Sequence, residues 1–129
     1  MEKPTIKVAA AVIYENGKFL CMQRCRSTKD YISEHWEFPG GKIEDGETGY
    51  DTLLREIREE MAWQVFVGPC IGTVEHDYPD FHITLTAYLC RGGEGEFKMY
   101  NHLDYKWLTI EELPTLKWTE ADRKLLELL

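Results

Sequence analysis

A chain of 129 residues, 43% hydrophobic and 12% aromatic, is long enough for one buried core and too apolar for a disordered segment. Its net charge of −8 argues against binding a nucleic-acid polymer, whose phosphates demand basic patches. No apolar run approaches the roughly 18–20 residues of a membrane span, so one cytoplasmic domain over residues 1–129 is expected, monomeric or a small homo-oligomer, without a membrane partner.

Residues 5–14 are an apolar run rich in Val, Ile and Ala, read as a strand and not as a secretory signal. Asn16-Gly17 then separates it from "FLCMQR", a two-residue hairpin signal, because a type I′ turn needs positive φ at both central positions. The polar stretch 26–35 reads as a loop, and "WEFPGGK" as a short extended segment opened by two glycines. From about Thr48 to Met61 the period becomes helical: Tyr50, Leu53, Leu54, Ile57 and Met61 share one arc, and Glu56, Glu59 and Glu60 occupy the arc beside it. "WQVFV" and "CIGTVEH" read as strands. "FHITLTAYL" alternates strictly, with Phe81, Ile83, Leu85, Ala87 and Leu89 on one side. "DYKWL" is a last strand, "TIEEL" a capped helical turn, and "TEADRKLLELL" a capped C-terminal helix. The pattern predicts an α/β fold, a mixed β-sheet sandwiched between α-helices. The four cysteines, Cys21, Cys25, Cys70 and Cys90, stand in strand-like surroundings without a second zinc-spaced pair, and are expected as reduced core thiols.

The acid arc calls for a reason. Glu56 lies three and four residues from Glu59 and Glu60, and each such like-charge pair costs about 0.2–0.5 kcal/mol. A solvated face is the ordinary explanation, with Arg55 and Arg58 as partners. Yet three carboxylates on one turn also form the hard oxygen cluster that Mg²⁺ or Mn²⁺ prefers. Gly40-Gly41 just upstream allows close backbone approach and a bare carbonyl ligand, and Lys42 adds a point charge suited to phosphate.

Residues 41–63 resemble the Nudix box, G-x5-E-x7-R-E-U-x-E-E-x-G-U, through Gly41, Glu47, Arg55, Glu56, Ile57, Glu59, Glu60 and Trp63. Only Ala62 departs, standing where the family has glycine; a left-handed helix end there would cost alanine about 1–2 kcal/mol. With "WEFPGGKIEDGET" and "YPDFHITL", the resemblance reaches the MutT-type nucleoside triphosphate pyrophosphohydrolases. It implies a Nudix fold, a Mg²⁺ or Mn²⁺ cofactor and a small-molecule nucleotide substrate, cleaved to a nucleoside monophosphate and pyrophosphate. It implies Glu56, Glu59, Glu60 and the Gly40 carbonyl as metal ligands, with Glu56 and Glu59 catalytic and Glu59 the general base. Glu47 and Arg55 would form a structural pair, and Arg24, Gly41 and Lys42 would meet substrate. Phe81 either stacks on the base or belongs to the core of its strand. Asp122 stands where purine-selective members carry asparagine. It either accepts from an exocyclic amino group such as that of cytosine or completes the cap begun by Thr119. Asn101 replaces a family glutamate, leaving His102, Asp104 and Glu96 as neighbouring substitutes. The rivals are a non-catalytic nucleotide sensor, supported by Asn101 alone, and a hydrolase of another diphosphate.

Overall fold

A computed structural model describes residues 3–129. Along the chain run β1 (Thr5–Glu15), β2 (Lys18–Arg24), β3 (Trp36–Glu37), β4 (Gly40–Lys42), α1 (Gly49–Met61), β5 (Val65–Asp77), β6 (His82–Gly92), β7 (His102–Leu108) and α2 (Glu120–Leu126), with a 3₁₀ turn at Leu113–Thr115. One edge of β1 lies parallel to β6 from Thr5 to Ile13. Its other edge is shared: β4 pairs with Val8–Ala10, and β2 with Tyr14–Glu15. The sheet is therefore mixed, and it forks where β4 and β2 part. β3 and β7 extend the β2 branch.

Side-chain alternation along β1 sorts the core onto two faces. Ala9, Ala11 and Ile13 join Leu53, Ile57 and Met61 of α1, whereas Ala10 and Val12 join Ala121 and Leu125 of α2. The two helices thus cover opposite faces of a mixed sheet, as the periodicity predicts. The Asn16-Gly17 turn has φ of 52° and 78°, which suits the type I′ geometry.

The structure corrects several sequence readings. Tyr50 is 50% exposed, and Gly49 and Thr52 are buried in its place. The first turn of α1 presses on β6 so closely that a Cβ on Gly49 would stand 2.3 Å from the Tyr88 hydroxyl. The "VFV" of "WQVFV" and "CIGTVEH" belong to one strand, β5, which starts only at Val65 and whose register slips between Val67 and Cys70 and again before Gly72. Those irregularities accommodate Pro69, which has no N–H for a ladder. Leu89 is 39% exposed, although it lies on the same face of β6 as the shielded Leu85 and Ala87. Only Cys21 and Cys90 are core thiols; Cys25 and Cys70 are exposed. The "TIEEL" stretch does form the expected helical turn: Glu112 accepts from the Thr109 N–H at 2.9 Å, and a 3₁₀ turn follows. The cap expected at Thr119 does not form, for a reason that belongs to the site.

Candidate active site

A cavity of about 320 Å³ opens in the fork of the sheet. Gly40, Gly41, Lys42, Arg24, Glu37 and Glu60 line it, together with Phe81, Tyr78, Ile83 and Asp122. α1 places the acids. Its start is fixed by Thr48, which accepts from the Asp51 N–H while Asp51 accepts from that of Thr48. Its end is Ala62, in the left-handed region at φ 48°, ψ 40°, with its N–H bonded to the Arg58 carbonyl. The helix ends as the family glycine would end it, and alanine bears the strain there.

Between these ends, Arg55 holds the preceding loop. Its Nε and Nη2 donate to the two Glu47 oxygens at 2.7 and 2.8 Å, and Nη2 also reaches the Lys42 carbonyl at 3.2 Å. The hydrogen bonds from Arg55 lower Glu47 to about 2. Arg55 Nη1 donates to Glu56 at 2.7 Å and approaches Glu59 at 3.5 Å. Glu59 is 60% exposed as a side chain, Glu56 only 15%.

Backbone clearance explains both glycines. A Cβ on Gly40 would stand 2.0 Å from the Ala9 carbonyl oxygen, and one on Gly41 would stand 2.3 Å from the Glu56 carboxyl carbon. Glu60 is the anomaly. Its Oε2 is buried without a hydrogen-bond partner among the described residues. Burial first, then the charges of Glu56 and Glu37, push its carboxyl up to about 8.

As they stand, no three acid, His or Cys side chains among the described residues surround a common point; Arg55 draws Glu56 aside. The donors nevertheless fit a divalent cation. They are hard oxygens, one of them a buried, unpartnered carboxylate beside a backbone that only glycine leaves open.

Asp122, also in the lining, is 7% exposed. Its Oδ2 accepts from the Phe38 N–H at 2.9 Å and its Oδ1 from the Thr119 hydroxyl at 2.8 Å. Thr119 therefore gives its side chain to Asp122 instead of capping α2, and the expected capping box is replaced by a bridge from Asp122 to the segment between β3 and β4. Burial first, then the Glu37 charge, raise Asp122 to about 7. Phe81 lines the cavity and also packs on the α2-side core, with the Tyr78 ring 4.9 Å away. Across the rim, Lys29 reaches Asp80 at 2.6 Å and Tyr31 bonds to the same carboxylate.

Arg24 donates to Glu37 at 3.0 Å, and His102 meets the other Glu37 oxygen at 3.1 Å. Burial alone would raise Glu37, but the His102 hydrogen bond and the Arg24 charge hold it below the ordinary carboxylate range. Glu37 is absent from the residues that sequence reasoning singles out, although an acid between Trp36 and Phe38 in an apolar strand is itself a signal. Of the substitutes near Asn101, Glu96 and Asp104 are exposed, Asp104 bonding to the Tyr105 N–H, and Asn101 is an exposed residue whose carbonyl accepts from Cys25.

The fold is that of one enzyme family. A model of the NUDIX domain matches residues 8–128, and the chain belongs to that family: it is a Nudix hydrolase of the MutT type. It is 43% identical over 91 residues to the 8-oxo-dGTP diphosphatase of Proteus vulgaris, covering 69% of this chain and 79% of that one. It is 32% identical over 122 residues to the CTP pyrophosphohydrolase of Escherichia coli K12, covering 95% and 89%. The MutT NUDIX hydrolase of Burkholderia pseudomallei superposes with a TM-score of 0.85 at 25% identity, covering 98% and 99%.

Proposed function

We propose that residues 1–129 act as one domain that hydrolyses a nucleoside triphosphate, or its deoxy form, to the monophosphate and pyrophosphate, with a cytosine or an oxidised or modified base as the preferred ring. The observation that carries this reading is one cavity whose lining combines two kinds of chemistry. It holds Glu60, whose Oε2 has no partner among the described residues, and open glycine backbone, together with Phe81 and an anchored Asp122.

In this reading Glu56, Glu59, Glu60 and the Gly40 carbonyl hold Mg²⁺ or Mn²⁺. The bound cation neutralises phosphate charge and makes water a stronger nucleophile. Glu59, the most exposed of the three and only loosely held by Arg55, takes the proton from the attacking water. Arg24 and Lys42 add positive charge along the phosphates, and the bare Gly41 backbone lets them approach. Phe81 offers its ring to the base, a contact worth about 1–3 kcal/mol in such stacks. A carboxylate has about four lone-pair sites, so ionised Asp122 keeps acceptor capacity beyond Phe38 and Thr119 for an exocyclic amino group. Its relatives named for 8-oxo-dGTP and CTP are consistent with either base class.

The test is pyrophosphate release from CTP, dCTP, 5-methyl-dCTP, dGTP, 8-oxo-dGTP, ATP and ADP-ribose, with Mg²⁺ and with EDTA. The reading expects metal-dependent release that collapses in Glu59→Gln, with a base preference that shifts in Asp122→Asn. Nucleotide binding without turnover of any of them would refute hydrolysis of this class.

A further inference from the structure

β2 carries β3 on one edge and β7 on the other. Cys21, Met22 and Gln23 face Lys106, Tyr105 and Asp104 in regular order, which would bring Leu103 opposite Arg24. A register shift between Gln23 and Arg24 brings His102 there instead. Strand side chains alternate between faces, so the slip of one residue turns His102 from the side of Asp104 to the side of Arg24. Glu37 reaches that side from β3, opposite Met22.

The three side chains then form a clasp. Arg24 Nη1 takes Glu37 Oε1 at 3.0 Å and His102 Nε2 takes Oε2 at 3.1 Å. A carboxylate only accepts, so Nε2 carries the proton, an assignment that follows from the hydrogen-bond network. The His102 side chain is 4% exposed, and its Nδ1 has no partner among the described residues. Arg24 and Glu37 line the cavity whereas His102 does not. A buried ring spent on a carboxylate is badly placed to take a proton from water.

We infer that His102 is a positioning residue: it fixes the Glu37 carboxylate, and through it the Arg24 guanidinium, at the phosphate end of the cavity. The inference rests on the reading of that cavity as a nucleotide site. It assigns the residue after Asn101 an indirect part in nucleotide binding and none in proton transfer.

The experiment is steady-state kinetics on the best nucleotide of the panel above, with His102→Leu, His102→Gln, Glu37→Gln and the His102→Leu/Glu37→Gln double variant. Loss of one charge-assisted hydrogen bond should raise KM about tenfold with kcat nearly unchanged. His102→Gln, whose amide still donates, should restore most of it. In the Glu37→Gln background, His102→Leu should add almost nothing, because the partner is already gone. If His102→Leu does not fold, His102→Asn, too short to reach, replaces it. A fall in kcat that glutamine does not rescue and that adds to Glu37→Gln would overturn the inference. Imidazole ¹⁵N spectra of the nucleotide-free protein give a readout independent of turnover. A protonated Nε2 whose signal moves in Glu37→Gln supports the clasp, and one indifferent to Glu37→Gln overturns it. Should no nucleotide turn over, the substrate reading fails while these spectra still decide the clasp.

Discussion

Two shielded carboxyl groups line the cavity, Asp122 and Glu60, and they are treated in opposite ways. Asp122 has a donor on each oxygen, one from Phe38 and one from Thr119. Glu60 has an oxygen with no partner among the described residues. Both carboxyls are pushed up by burial, to about 7 and about 8. A satisfied buried carboxylate contributes to the structure around it, here joining the start of α2 to the segment after β3. An unsatisfied one costs stability until a cation or a proton arrives. The difference separates a side chain that helps to build the cavity wall from one held ready for a ligand.

The strongest way to break this contrast is Glu60→Gln. Pyrophosphate release is expected to fall by more than the about 10–100-fold typical of losing a group that merely supports a metal ligand. The same variant should melt higher than the parent in EDTA at pH 9, because no charge is then buried there, and should gain less from Mg²⁺; calorimetry with and without the ion checks both.

For the satisfied carboxylate, Asp122→Ala leaves the Phe38 N–H without its acceptor, and should lose about 1–3 kcal/mol in urea unfolding. Asp122→Asn keeps one acceptor oxygen, so its main effect is on selectivity, moving the ratio of kcat/KM for cytosine over purine triphosphates by about tenfold or more.

A pH series sharpens the comparison. Each carboxyl has a folded pKa above its ordinary value, so the folded state holds protons that the unfolded chain releases, and stability falls as pH rises. The decline runs from about 4.5 to about 8 for Glu60 and from about 3.8 to about 7 for Asp122. Melts in EDTA from pH 4 to 9 should show it, with the upper part missing in Glu60→Gln and the lower part reduced in Asp122→Asn. Smallest is Ala62→Gly, which relieves the left-handed cap and should add about 1 kcal/mol in urea unfolding without changing either carboxyl's behaviour.

Much of the acid cluster was legible in the sequence, since its order is local. Glu56, Glu59 and Glu60 share a helix face because 3.6 residues make a turn, and the Glu47–Arg55 pair joins that helix to the loop before it. The rest of the site follows no short period. Thr119 and Asp122 have the spacing of a capping box, yet Asp122 bonds to a backbone N–H 84 residues away. Glu37 and His102 are 65 residues apart, and strand alternation would have pointed His102 the other way. Tyr50 was assigned to the core because helical periodicity does not know how closely β6 approaches the first turn.

By itself, then, the sequence determined the elements whose order repeats every two or 3.6 residues: the hairpin, the alternating strand, the two-faced helix and the crowded acids. The tertiary structure decided which of two matching cap signatures closes, which carboxylate finds donors and which is left bare, and which face of β7 meets Arg24. Those choices depend on close approach between distant segments, and on a one-residue slip in a ladder, neither of which leaves a local period to read.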